Sequence, residues 1–313
     1  MNSIEIRELT KEFGRTRAVD HLTFDVMPGR VTGFLGPNGA GKSTTMRLLL
    51  GLDRITSGTA TIGGRRYAEL PDPLHQVGAL LDAQSAHGGR TARDHLRFLA
   101  AANRIPMSRV EAVLEQSGIA PAAKRRIKTF SLGMRQRLGI AAALLGDPEV
   151  LLLDEPTNGL DPEGIIWIRE LMRGLAAEGR TVLVSSHLMT ETAALVDHLV
   201  VLGQGRLLAD TSIEEFIDSR STPRVRLRTT DPVRLRAALA RDDFELVTAE
   251  GGRWTVDGMQ AEQLGVIAAR EGIPMLELID ERASLEQAYL DLTAASAQFA
   301  ATRCPVPSQE ASP

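Results

Sequence analysis

From the N-terminus to about residue 215, short apolar runs alternate with stretches of helical spacing. Residues 31–35, 150–153, 181–185 and 198–202 are nearly unbroken apolar runs of strand length, the pattern of strands covered on both faces. The opening segment, MNSIEIRELTKEF, alternates charged with apolar side chains and predicts a further strand. Together these imply an α/β domain, a mostly parallel sheet with helices packed on it. Between about residues 71 and 135 the β-branched runs thin out, and 93–102 and 108–116 carry helical spacing. A helical subdomain inserted into the sheet is expected there.

Near Ser219-Arg220-Ser221-Thr222-Pro223 the pattern changes. Candidate strands at 224–228, 244–248, 253–256 and 275–279 alternate with helix candidates at 232–240 and 260–270, and a last helix is expected at 284–293. This predicts a small α+β domain of ferredoxin-like type. The expected organisation is a first domain over 1–218, a second over 223–293 and a disordered tail over 294–313, where Ala, Ser and Pro recur without period.

Composition narrows the functional classes. The 313 residues carry 36 basic and 40 acidic side chains, net −4, so no strong field marks nucleic acid or an anionic membrane as partner. The single cysteine, Cys304, excludes an intrachain disulfide and a cysteine metal cluster, which suits a reducing compartment. No apolar run approaches the 18 residues of a membrane span, and the start lacks the apolar core of a secretory signal. A soluble, cytoplasmic protein is expected, and any membrane function would be supplied by another polypeptide.

Two segments carry chemistry. Gly36-Pro37-Asn38-Gly39-Ala40-Gly41-Lys42-Ser43 fits GxxxxGK[ST], after the strand at 31–35 and before a helical stretch beginning at Thr44. Glycines there let backbone N–H groups curl around phosphate oxygens at a helix N-terminus. Lys42 places a compact positive charge on the β and γ phosphates, and the Ser43 hydroxyl is a Mg²⁺ ligand. Lysine occurs at only four positions, 11, 42, 124 and 128, and the planar guanidinium used elsewhere cannot replace an ammonium in that cradle. Far downstream, the run at 150–153 ends in Asp154-Glu155. Carboxylates at a strand's C-terminal end face the crevice where α/β folds hold ligands, with Asp154 holding Mg²⁺ and Glu155 polarising the attacking water as general base.

Residues 1 to about 215 resemble the nucleotide-binding domain of ABC transporters. Phe130-Ser131-Leu132-Gly133-Met134-Arg135-Gln136-Arg137 sits where that family has its LSGGQ signature. Residues 154–161, Asp-Glu-Pro-Thr-Asn-Gly-Leu-Asp, reproduce the following segment, and His187 after Ser185-Ser186 matches the switch histidine. The likeness extends to the ABC-2 type, the ATPases of drug and antibiotic exporters. The fold class implied is a P-loop NTPase, an ABC-type nucleotide-binding domain with its helical subdomain, followed by the small α+β domain.

The resemblance implies ATP and Mg²⁺ as cofactors and an ATPase that powers a separate membrane permease, with export of a drug, an antibiotic or another hydrophobic compound as its task. The family pairs two copies, so that the signature of one meets the phosphate loop of the other and the two do not meet within one subunit. A homodimer, peripheral on the inner face of the cell membrane, is expected, with no nucleic acid as partner. Ser131 and Gly133 keep a hydroxyl and a backbone N–H for phosphate, whereas the family's usual glycine and glutamine are Leu132 and Met134 here. The family's Q-loop glutamine falls on Asp82, with Gln84 two residues on, and either serves as the sensor of metal and γ-phosphate. Phe13 falls where the family stacks an aromatic on adenine, and a core-facing strand residue is the alternative. His187 is expected to hydrogen-bond the γ-phosphate; His21, His75, His87, His95 and His198 have no ligand or triad spacing. A soluble ABC ATPase acting on DNA or the ribosome is the competing reading, against which stands the lack of a coiled-coil insert or a second nucleotide domain.

Overall fold

The computed structural model describes residues 2–186, 194–219, 223–281, 285–290 and 292. The chain divides into two compact units, Met1–Ile213 and Glu214–Pro313.

The first unit is built on two sheets. Strands β1 (Ile4–Phe13), β2 (Thr16–Val26) and β4 (Ser57–Ile62) form an antiparallel sheet in the order β2-β1-β4. The larger sheet has six strands, β5 (Val77–Leu80), β6 (Val150–Asp154), β7 (Thr181–Ser186), β3 (Val31–Leu35), β8 (His198–Gly203) and β9 (Arg206–Ser212), in that spatial order. All neighbours run parallel except β8 and β9. Every residue of β3 and β7 and the first four of β6 are buried, as expected of central parallel strands read from unbroken apolar runs.

The antiparallel sheet departs from the expectation of a mostly parallel array. Its inward side chains, among them Ile4, Ile6, Leu22, Phe24 and Ile62, share one apolar core with Phe34 and Leu152 of the parallel sheet. The expected helical insert is corrected at its start, because Val77–Leu80 pairs in parallel with Val150–Leu153 and is the edge of the main sheet. Four residues are too few to register a period, and Gly78 makes the run look weaker still. That glycine is required by the crowding: a Cβ there would lie 2.0 Å from the Ala143 carbonyl oxygen.

Between β5 and β6 lie α3 (Ala92–Ala102), α4 (Met107–Gln116) and α5 (Leu132–Leu144), after α1 (Lys42–Leu49) and the four-residue α2 (Pro73–Gln76). Thr91 caps α3, its Oγ1 accepting the Asp94 N–H at 3.1 Å. Ser131 caps α5 in the same way through Met134 N–H at 3.2 Å. After β6, α6 (Pro162–Ala177) is capped by Asp161, with Pro162 at its first position. No helix among the described residues is long and apolar enough to cross a membrane.

The short α7 (Ile213–Asp218) follows β9. The second unit carries β10 (Arg224–Thr229), α8 (Pro232–Leu239), β11 (Leu246–Ala249), β12 (Arg253–Asp257), α9 (Ala261–Arg270) and β13 (Met275–Glu281). The strands form an antiparallel sheet in the order β11-β12-β10-β13, which with the βαββαβ sequence is the ferredoxin-like arrangement. Alternate residues Val225, Leu227 and Val256 are buried with Leu235, Leu239 and Leu264 of the two helices. Arg224, Arg226 and Arg253 lie on the opposite face, paired with Asp257, Glu277 and Glu281. The tail at 294–313, with Cys304, lies outside the described residues.

Candidate functional site

The loop of residues 36–41 joins buried β3 to α1. Gly41 stands at the helix N-cap with φ 103°, in the left-handed region that favours glycine. A Cβ there would also lie 2.6 Å from the Ala18 carbonyl oxygen. The loop closes on itself through Ala40 N–H to Pro37 O at 3.1 Å, and Thr45 returns Oγ1 to Gly41 O at 2.9 Å. Pro37, Asn38, Gly39 and Ser43 are exposed, while Gly36, Ala40 and Gly41 are buried beneath them.

Lys42 is 7% exposed, and its Nζ donates to the carbonyls of Gly36 at 2.6 Å and Pro37 at 3.3 Å. Burial pushes its ammonium below the usual lysine range, opposed by the charges of Glu155 and Asp154. Two carbonyls thus hold the amine over the loop, and the carboxylates at the end of β6 act against the effect of burial.

Asp154 and Glu155 stand at the C-terminal end of β6. The Ser185 hydroxyl of the adjoining β7 lies between them, donating to Asp154 Oδ1 and accepting the Glu155 N–H at 3.0 Å. Glu155 has φ 50°, unusual for a residue with a side chain. Its carbonyl accepts from Gln136 Nε2 at 3.0 Å and from the Asn158 N–H at 3.2 Å.

A cavity of about 480 Å³ gathers these groups. Asn38 to Thr44 line one side, Asp154, Glu155 and Asn158 another, and Leu81, Asp82, Ala83 and Gln84 a third. Ala18 of β2 completes the lining beside the loop, with Leu132 and Gln136 of α5 on a further side. The structure therefore brings together the phosphate loop, the Asp154-Glu155 pair and both candidate sensors. Asp82 Oδ1 accepts the Gln84 N–H at 2.8 Å, so its carboxylate shapes the turn that carries the other candidate.

Three sequence expectations are changed or left aside. Phe13 is not a core residue: at the end of β1 it is 50% exposed, with Lys11 Nζ 4.5 Å from its ring centre, and it does not line the cavity. The signature segment does meet the phosphate loop's cavity within one chain, through Leu132, whereas Ser131 and Gly133 do not line it. The cause is helical geometry: α5 starts at Leu132, so residues 132 and 136, four apart, share the face turned to the cavity. Gly133 instead abuts the segment after β6, and a Cβ on it would lie 2.7 Å from the Gly159 carbonyl oxygen. His187 lies outside the described residues. Gln136, Asn158 and Ala18 are site residues that the motifs did not single out.

A phosphate loop between a parallel strand and a helix, facing an Asp-Glu pair at the end of β6, two strands away in the same sheet, defines a P-loop ATPase. Comparison with known proteins refines the class. The ABC transporter family matches residues 19–158, and a domain of unknown function, DUF8746, matches 223–286. The bacitracin transport ATP-binding protein BcrA of Bacillus licheniformis is 36% identical over 300 residues, covering 92% of this chain and 96% of that protein. The lantibiotic transport ATP-binding protein SrtF of Streptococcus pyogenes is 35% identical, covering 66% of this chain and 90% of its own. A solved ATP-binding subunit of an ABC transporter superposes with a TM-score of 0.64 at 28% identity, covering 69% of this chain and 92% of its own. The chain belongs to the ABC transporter family, as an ATPase whose hydrolysis of ATP is coupled to transport.

Proposed function

We propose that two copies of this chain bind ATP and Mg²⁺ and drive a separate permease that exports an antibiotic-like compound. The observation that carries the reading is the one cavity in which Lys42, the exposed loop residues Asn38 and Gly39 and the Asp154-Glu155 pair converge. The export assignment rests on relatives named as bacitracin and lantibiotic transport ATP-binding proteins.

In this reading the loop amides and Lys42 bind the β and γ phosphates. Among the described residues no group of three His, Cys, Asp or Glu side chains could hold a metal alone. Mg²⁺ is commonly held by one or two protein oxygens together with substrate phosphates. Ser43 and Asp154 are the ligands proposed, with Asp82 as an additional group toward the metal, and when bound the ion supplies charge neutralisation to the phosphoryl oxygens. Glu155 takes a proton from the attacking water, and His187 is assigned to the γ-phosphate. Ser131 and Gly133, which do not line the cavity of their own chain, are left to meet nucleotide held by a second copy, with C2 pairing the simplest arrangement. Phe13, exposed at the end of β1, is available to stack on a base.

The test is a pair of substitutions read by nucleotide binding and phosphate release. Lys42→Ala should abolish ATP binding, and near-parental affinity would overturn the cradle. Glu155→Gln should keep ATP bound while turnover stalls, and hydrolysis within severalfold of the parent would remove Glu155 as base. Co-purification with a polytopic partner from detergent-solubilised membranes tests the permease; retention on ribosomes or DNA instead would favour the competing class.

A further inference from the structure

Gln136 is 4% exposed, and a primary amide that deep in a protein requires partners for its polar atoms. Its Nε2 donates at 3.0 Å to the carbonyl of Glu155. That carbonyl belongs to the residue held at φ 50°, a conformation that costs a side-chain-bearing residue about 1–2 kcal/mol unless its surroundings impose it. The surroundings do so from both ends: Ser185 Oγ accepts the Glu155 N–H at 3.0 Å, and Gln136 and the Asn158 N–H hold the carbonyl. With both peptide groups fixed, the Cα–Cβ bond of Glu155 has one direction, toward the cavity that Glu155 and Gln136 both line.

We infer that Gln136 is a positioning residue for hydrolysis, holding the backbone of Glu155 so that its carboxylate meets the attacking water. This rests on the reading of Glu155 as general base. Gln136 acts through the backbone of Glu155, and its loss displaces the base without removing it. The alternative use of a cavity-lining amide, direct contact with nucleotide, would instead alter affinity.

Gln136→Met tests this, since it nearly conserves volume and removes the donor. Gln136→Asn keeps an amide but shortens its reach by one methylene, and supplies the same test should the first variant fail to fold by circular dichroism and thermal melting. The expected result is a fall in kcat of about 10- to 100-fold, the scale of a misplacement of about 1 Å at a reacting group, with KM and the Kd of a non-hydrolysable ATP analogue within about threefold of the parent. Adding the substitution to Glu155→Gln, with labelled-phosphate release followed in single turnovers, should lower the residual rate no further, because the group being positioned is already gone. A kcat within twofold of the parent overturns the inference. So does a parallel loss of affinity and turnover, or a full additional loss in the double variant. Near-parental hydrolysis by Glu155→Gln alone would strike the base assignment itself, which separates failure of that reading from failure of this one.

Discussion

Removing the charge of Asp20 should destabilise the first unit at neutral pH and spare it in acid. The carboxylate of Asp20, on β2, is 8% exposed and accepts from three side chains: Arg17 Nη1 at 2.9 Å, Arg206 Nε at 2.6 Å and, through Oδ1, the His21 ring at 2.7 Å. The hydrogen bond from His21, then those of Arg206 and Arg17, outweigh burial and pull its pKa from 3.8 to about 2. A depressed folded pKa means stabilisation that is complete above the unfolded value near 4 and lost as pH falls toward 2. The difference corresponds to about 2 kcal/mol at pH 7, falling to about half of that near pH 3. The network also touches the site, because Asp20 N–H donates to Gly205 O at 2.8 Å and Gly205 N–H to Ala40 O of the phosphate loop at 3.1 Å. Asp20→Asn keeps the shape and removes the charge. Urea unfolding in a Trp254→Phe background leaves Trp167 as reporter of the first unit, since these are the chain's two tryptophans. The expected penalty is about 2 kcal/mol at pH 7, narrowing by pH 3. A penalty below about 0.5 kcal/mol at pH 7, or one equal at pH 7 and pH 3, would refute the reasoning.

Gly133→Ala pushes a methyl group to 2.7 Å from the Gly159 carbonyl oxygen, so a loss of about 1–3 kcal/mol is expected in chemical denaturation; unchanged stability would deny the contact. Phe13→Ala should leave stability within about 0.5 kcal/mol, because half the ring is exposed. If the ring stacks on adenine, the same variant weakens ATP binding about three- to tenfold by fluorescence titration, and unaltered affinity removes Phe13 from the site. In Asp82→Asn the side-chain oxygen still accepts the Gln84 N–H, so a severalfold fall in Mg²⁺-dependent turnover would isolate the charge. Unchanged turnover removes Asp82 as the sensor and shifts that role to Gln84 or elsewhere.

The parts legible in the sequence are those whose signal is local. Residues 31–35 are apolar but for Thr32 because β3 is covered on both faces, and the strand emerges with the boundaries read from the run. The phosphate loop is likewise local, eight consecutive residues whose glycines and lysine are explained by one ligand. Strands β4 and β5 failed to register for the opposite reason. Ser57–Ile62 is half exposed, and Val77–Leu80 contains a glycine, Gly78, demanded by a carbonyl 65 positions further along the chain, at Ala143. Contacts of that span leave no periodicity behind.

Gln136 marks the boundary between the two kinds of information. Resemblance to LSGGQ placed the family's amide at position 134, where the chain has methionine, and so the segment read as having lost it. The cap was nevertheless visible in principle: Ser131, ahead of the good helix formers Met134-Arg135-Gln136-Arg137-Leu138, marks a helix start despite Gly133, and a helix begun there puts Leu132 and Gln136 on one face. What that face meets was not available from spacing, because Glu155 lies 19 residues away and its left-handed backbone depends on Ser185, 30 residues further on. A buried amide on a helix that also carries a half-exposed leucine is chemically ambiguous until the carbonyl opposite it is known. The role of Gln136 is therefore a property of three distant segments closing on one peptide group, and it is the geometry of that closure, more than the motif, that fixes where the carboxylate points.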